Sequence, residues 1–172
     1  MFDPAFQLTL KNEGGFFHNP ETGEIVNRGI TLTFVRDCGY CNTADEQYIK
    51  DLTEQQTEEI YRKYFWERYN IGRIEDQGLA NKVFDLTVNM GPGCATHDGA
   101  LTLLQKAIND CGGKCAIDAE LGPRSVGQIN ELDARRLLTA FRQRAKARYE
   151  EIAAKNPKLA GNLEGWLSRL DS

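Results

Sequence analysis

The chain has 172 residues, 41% apolar and 27% charged, with a net charge of −4. That is enough for one globular domain or two small lobes on a shared core, with no metal or disulfide needed for folding. The negative balance argues against a dedicated nucleic-acid binder, and no apolar run approaches the ~18 residues that cross a bilayer.

In chain order, Asp3-Pro4 reads as a helix start, with Asp to cap free amides and Pro pre-set for the first turn. Phe2, Phe6 and Leu10 recur every four residues and mark one apolar face. Gly14-Gly15 is expected to end this helix in a left-handed cap. Residues 16–35 carry turn formers and the β-branched stretches Ile25-Val26, Ile30-Thr31 and Thr33-Phe34-Val35, which predict short strands or a hairpin, the only sheet expected. Thr53-x-x-Gln56 is a capping box for a helix to about Tyr69. Leu79, Val83, Leu86 and Met90 form a helical stripe that Gly91-Pro92-Gly93 stops. A further helix is expected from about Asp98 to Asn109. Asp133 can cap a long helix that ends before Pro157, and Gly165-Trp166-Leu167 reads as a short helix anchored by its indole. The expected class is α+β, mostly α.

Glu13 stands three residues beyond Leu10 and so continues the apolar face of the first helix. It lies at the negative end of that helix's dipole, with Phe16 and Phe17 close by to desolvate it. Each effect disfavours an anion, which is what a general acid of a glycosidase needs near neutral pH. The alternative is a Glu hydrogen-bonded to a neighbouring loop. Asn81, Asp85 and Asn89, spaced by four, could line a sugar cleft or form a solvated face. The Tyr61, Tyr64, Phe65, Trp66 and Tyr69 cluster could stack on sugars, but at helical spacing it reads as core.

Other chemistries have little to work with. GxSxG, HExxH and Walker motifs are missing, and His18 and His97 are the only histidines. His18 reads as a cleft-wall residue and His97 as a surface residue. Cys38-x-x-Cys41 and Cys111-x-x-x-Cys115, with a lone Cys94, could supply a four-thiolate zinc site only if the fold joined them. Free thiols are the expectation in a reducing compartment, and neither a metal nor a cofactor is expected. Residues 135–148 carry six Arg and Lys with no acid, a face that could meet an anionic polymer such as a bacterial wall or simply be solvated.

Asn12-Glu13-Gly14-Gly15-Phe16, followed by Asn27-Arg28-Gly29-Ile30-Thr31, resembles the signature of glycoside hydrolase family 108. Downstream, Phe84 to Gly93, Leu104-Gln105-Lys106-Ala107, Asp118 to Ser125 and Gly165-Trp166-Leu167-Ser168-Arg169 resemble the peptidoglycan-binding region usually paired with it. Three positions depart from the family pattern: Asn19-Pro20-Glu21 replaces Asp-Pro-x-Asp, Arg28 stands where Tyr is usual, and Ala119 where Gly is usual.

The resemblance implies a lysozyme-like fold with a small N-terminal β-hairpin or sheet and a helical C-terminal lobe. It divides the chain into a catalytic region, 1–90, and a helical wall-binding region, 91–172, packed as one unit. It implies cleavage of the β-1,4 bond between N-acetylmuramic acid and N-acetylglucosamine, with Glu13 as the catalytic acid. Glu21 or Glu24 would be the second carboxylate; failing those, Asn27 or Thr31 would position water. His18, Asp85 and Asn89 are the expected substrate contacts. The expected partner is bacterial peptidoglycan, met by a monomer with no nucleic acid and no stable membrane insertion. The start Met1-Phe2-Asp3-Pro4 lacks the basic stretch and apolar run of a secretory signal. An endolysin of this kind would wait in the host cytoplasm and reach the wall through a holin-type pore. Two other readings stay open: a lytic transglycosylase using the same acid, and a non-catalytic wall-binding or secretion-assisting protein.

Overall fold

The computed structural model describes residues 1–20 and 22–172. Its first helix, α1 (Phe2–Asn12), buries Phe2, Ala5, Phe6 and Thr9, with Leu10 half-buried beside them. The helix begins a residue earlier than Asp3-Pro4 suggests, so Asp3 lies in its first turn, where Arg62 approaches it at 3.3 Å. Its end also differs from expectation. Glu13 itself is the C-cap, in an extended conformation, and its N–H bonds the Thr9 carbonyl at 3.0 Å. Gly14 and Gly15 are not left-handed.

Three short strands follow: β1 (Phe17–His18), β2 (Ile25–Asn27) and β3 (Ile30–Thr31), antiparallel and in that spatial order. Phe17 pairs with Val26, and Asn27 with Ile30. The β2–β3 turn is Arg28-Gly29, with φ of 52° and 74°, the positive pair a two-residue hairpin favours for strand twist. Arg28 tolerates this because its N–H bonds Gly14 O at 3.1 Å and its carbonyl accepts the Tyr61 hydroxyl at 2.7 Å.

The expected strand at Thr33-Phe34-Val35 is instead helix α2 (Leu32–Asp37). The Thr31 hydroxyl caps it by accepting the Phe34 N–H at 3.1 Å, and Val35 turns into the core. Local capping outweighs β-branched propensity here. Two further helices are α3 (Glu46–Lys50) and α4 (Glu54–Tyr61), the latter opened by the Thr53–Gln56 capping box. A π-helical stretch, Arg62–Glu67, continues α4. Tyr61 and Trp66 are buried there, against Phe2, Phe6 and Phe84, so the aromatic cluster is core.

At the centre lies α5 (Gln77–Met90), capped by Asp76 and buried on most of its circumference. It packs against α1, against α6 (Ala100–Asp110) and against α8 (Ala134–Lys155). The glycine-rich stop after α5 folds into a second small hairpin, β4 (Gly93–Cys94) and β5 (His97–Asp98), so the sheet near the N-terminus is not the only one. Gly93 and Gly99 approach backbone to backbone, and a Cβ on either would overlap the other. Helix α7 (Pro123–Glu131) follows α6. After α8, a short 3-10 turn over residues 157–162 leads to α9 (Leu163–Asp171), which packs on α8. Buried side chains from both sides of position 91 share a single core.

Candidate active site

The end of α1 places Glu13 at a cleft of about 490 Å³, lined also by Asn12, Asn89, Trp166, Ser168 and Arg169. The Glu13 side chain keeps 13% of its surface exposed, enough for a ligand to reach it. On one side its carboxylate lies against Gly29 of the β2–β3 turn, where an added Cβ would stand 2.7 Å from Oε2. On the other side, Oε1 accepts a hydrogen bond from Arg169 Nη2 at 2.6 Å.

Arg169, on the last turn of α9, is the organising charge. Its guanidinium forks onto the buried Asp85 carboxylate, Nε to Oδ2 at 3.0 Å and Nη2 to Oδ1 at 2.8 Å. Asp85 also accepts the Asn12 amide at 3.1 Å and lies 3.8 Å from Lys82 Nζ. Lys82 in turn donates to the Arg169 carbonyl. Burial works against the Arg169 charge, but the Asp85 and Glu13 carboxylates outweigh it and hold the guanidinium above its ordinary range. Burial likewise pulls the Lys82 ammonium down, with Asp85 opposing. Each buried cation in this cluster thus has a carboxyl partner, which is how charges tolerate such a site.

The phenols nearest Glu13 are shielded. Burial, then the Glu13 charge, raises Tyr61 well above its ordinary value, and burial does the same to Tyr149. Both stay neutral hydroxyl donors: Tyr61 to Arg28 O, and Tyr149 to Asn89 Oδ1 at 2.7 Å.

Several sequence expectations land elsewhere. Phe16 and Phe17 are exposed and do not cover Glu13; its immediate neighbours are Arg169 and Gly29. Asp85 is fully buried and holds Arg169, so it braces the site from behind and has no surface to offer a sugar. Asn89 does line the cleft. Asn81 accepts the Gln77 amide along its own helix face. His18 sits on exposed β1, 3.4 Å from Glu46, away from the cleft lining. Asn27 is buried, and its amide donates to the Ile49 and Lys50 carbonyls at 2.9 and 3.2 Å, tying the hairpin to α3. The Thr31 hydroxyl caps α2. Glu24 is exposed on the loop before β2, and Glu21 lies outside the described residues.

The charged face of α8 is partly neutralised. Arg144 forks onto Asp110, and Arg148 pairs with Glu151. The five cysteines are free thiols, and no group of three metal-ligating side chains occurs among the described residues. Cys94 and His97 do touch, Sγ to Nδ1 at 2.9 Å, on the exposed β4–β5 hairpin. No described helix is long and apolar enough to cross a membrane.

Arg169, Lys82 and Asn12 escape a reading by sequence alone. The available signal is the placement of Arg169 three residues after Trp166, which puts a cation on the buried face of an otherwise apolar helix end.

The structure is similar to that titled "Structure of Brucella abortus SagA", with a TM-score of 0.79 at 22% sequence identity, covering 99% of this chain and 89% of that one. That likeness bears on the fold, which is the α+β, mostly helical, lysozyme-like one expected. No curated protein sequence matches the chain significantly. Residues 99–171 match the family model described as Predicted Peptidoglycan domain, and residues 6–91 match Glycosyl hydrolase 108. The chain therefore belongs to the glycosyl hydrolase 108 family, as a glycosidase that acts on peptidoglycan.

Proposed function

We propose that the protein is an N-acetylmuramidase that hydrolyses the β-1,4 bond between N-acetylmuramic acid and N-acetylglucosamine, with Glu13 as general acid. The observation that carries this reading is the setting of Glu13: a carboxyl at the cleft, fixed between Gly29 and Arg169, with one oxygen engaged by a donor-only guanidinium. In the reaction, Glu13 gives its proton to the leaving glycosidic oxygen, and water adds at the anomeric carbon of the muramic acid. Hydroxyl and amide groups of Asn12, Asn89 and Ser168 suit the hydroxyl and N-acetyl groups of such a glycan.

A second reading has its own support. Glu13 is the only acidic side chain lining this cleft among the described residues. A lytic transglycosylase needs the acid but no carboxylate to activate water. Digestion of purified peptidoglycan, read by mass spectrometry, separates the two. Hydrolysis leaves reducing muramic ends, and the transglycosylase reaction leaves 1,6-anhydro ends. Glu13→Gln keeps shape but has no proton to give, so it is expected to release either product only at a small residual rate. Wall lysis by that variant at the wild-type rate would refute both, and wall binding with no released sugar by the wild type would leave a wall-binding protein.

We also propose an endolysin role, with the enzyme held inside the host until a holin-type pore opens. Expression with a holin is expected to lyse cells, and expression alone is not. Lysis without the holin would refute that route.

A further inference from the structure

We propose that Arg169, supplied by the C-terminal segment, is the positioning residue of Glu13 and determines which of its oxygens carries the transferable proton. The inference rests on the reading of Glu13 as general acid. It makes the segment after position 91 part of the catalytic centre as well as a wall-binding region.

Three observations carry it. First, Arg169 is itself immobilised before it meets Glu13. Its two bonds to Asp85 are side-on, and the Nη2 atom leans further onto the Asp85 backbone carbonyl at 3.3 Å. A fork of that kind fixes the guanidinium plane as well as its position. Asp85 cannot swing away, because it is fully buried and held by Asn12 and Lys82. The backbone of α9 is tied at the same point, since the Arg169 carbonyl accepts from Lys82 and from the Ser172 hydroxyl.

Second, the Nη2 proton left over by the fork points to Glu13 Oε1, at 2.6 Å. A guanidinium N–H only donates, so Oε1 must offer a lone pair. The oxygen left to carry the proton that Glu13 transfers is therefore Oε2. That oxygen lies beside the Gly29 Cα, where the missing Cβ keeps space open. Third, Arg169 bridges 156 residues of sequence to reach Glu13 and is only 8% exposed. A cation buried so far from its partners in sequence has to be explained by what it holds in place.

The groups near enough to interact with the Glu13 charge are Arg169 from α9, Tyr61 from α4 and Tyr149 from α8. Of these only Arg169 bonds the carboxylate directly among the described contacts. Removal of its side chain frees the Glu13 carboxyl to rotate about its last bond. Misplacing a proton donor by about an ångström costs on the order of 100-fold in rate.

The test uses the full chain and purified peptidoglycan. Arg169→Ala, Arg169→Gln and Arg169→Lys are compared with wild type for kcat, KM and thermal unfolding, alone and combined with Glu13→Gln. Folded Arg169→Ala or Arg169→Gln is expected to lose about 100-fold in kcat with KM changed by less than about threefold. Arg169→Lys, which keeps a charge without the fork, is expected to fall between. In the Glu13→Gln background the same changes are expected to cost no further rate, because the proton they position is gone. A merely structural Arg169 would instead lower rate equally in both backgrounds. If the alanine variant does not fold, the neutral but still hydrogen-bonding glutamine variant is read by the same criteria. Wild-type kcat in a folded variant, or full additivity with Glu13→Gln, overturns the proposal. Failure of the wild type to cut peptidoglycan at all would instead sink the muramidase reading on which it rests.

Discussion

Gly29 leaves no room for a side chain beside Glu13: a Cβ at position 29 would lie 2.7 Å from Glu13 Oε2 and 2.5 Å from the Tyr61 hydroxyl. The residue also has a φ of +74°, which costs an L side chain roughly 1–2 kcal/mol. Gly29→Ala is therefore expected to lower stability by at least that amount and to push Glu13 out of line. Activity on peptidoglycan should fall more than tenfold even at temperatures where the variant is folded. Rates on purified wall, set beside a denaturant curve, check both halves, and an alanine variant of wild-type activity would show that Glu13 has room to spare.

The same site shows how far a sequence can be read. The place of Glu13 at a helix end is legible because it is set locally: the apolar face of Phe2 and Phe6 and the Gly-Gly break are written within a dozen residues. The Thr53–Gln56 box and the Asp133 cap are legible for the same reason. Arg169 is not, since its meeting with Glu13 depends on how α9 docks against α5 and α8, and chain-distant ion pairs leave no periodic mark. Asp85 has the spacing of a cleft residue, yet burial against Arg169 turns it into a brace. Thr33 to Val35 has strand composition, yet the Thr31 cap commits it to a helix.

Ala119 offers a gain. It has a φ of +64° and is nearly buried, and its N–H bonds Gln105 Oε1 at 2.9 Å. The left-handed conformation is disfavoured for alanine and nearly free for glycine. Ala119→Gly is expected to raise stability by roughly 0.5–1 kcal/mol, part of the relieved strain being offset by the greater freedom of glycine in the unfolded chain. Chemical denaturation measures it, and a destabilised variant would mean that the Ala119 methyl contributes more by packing than its backbone loses by strain.

The neighbouring Asp118 predicts an acid dependence. The Glu120 N–H at 2.9 Å, then the Gln105 amide at 2.7 Å, hold its carboxyl below the ordinary 3.8. A carboxyl lowered by folding stabilises the native state above its unfolded value and loses that contribution as pH falls through the folded one. The melting-temperature gap between wild type and Asp118→Asn should be widest above about pH 4 and close as the solution is acidified below it. A gap that stays constant down to strong acid would assign the difference to lost hydrogen bonding by the neutral amide alone.

Trp166 separates binding from chemistry. Its indole lines the cleft and stacks on Tyr149, with centroids 5.2 Å apart and planes at 19°. Tyr149 in turn orients Asn89 through its hydroxyl. Truncation to alanine removes a cleft wall and slackens Asn89, while Glu13 and the Arg169–Asp85 pair remain in place. An aromatic contact of this kind contributes about 1 kcal/mol or somewhat more, so Trp166→Ala is expected to raise KM for the glycan about five- to tenfold. Its kcat should stay within about threefold of wild type, the pattern of lost uniform binding. Trp166→Phe preserves a ring against Tyr149 and should lie close to wild type in both constants. Steady-state kinetics on soluble glycan fragments make the distinction, and a fall in kcat at unchanged KM would place Trp166 with the proton-donor machinery and not with the glycan wall.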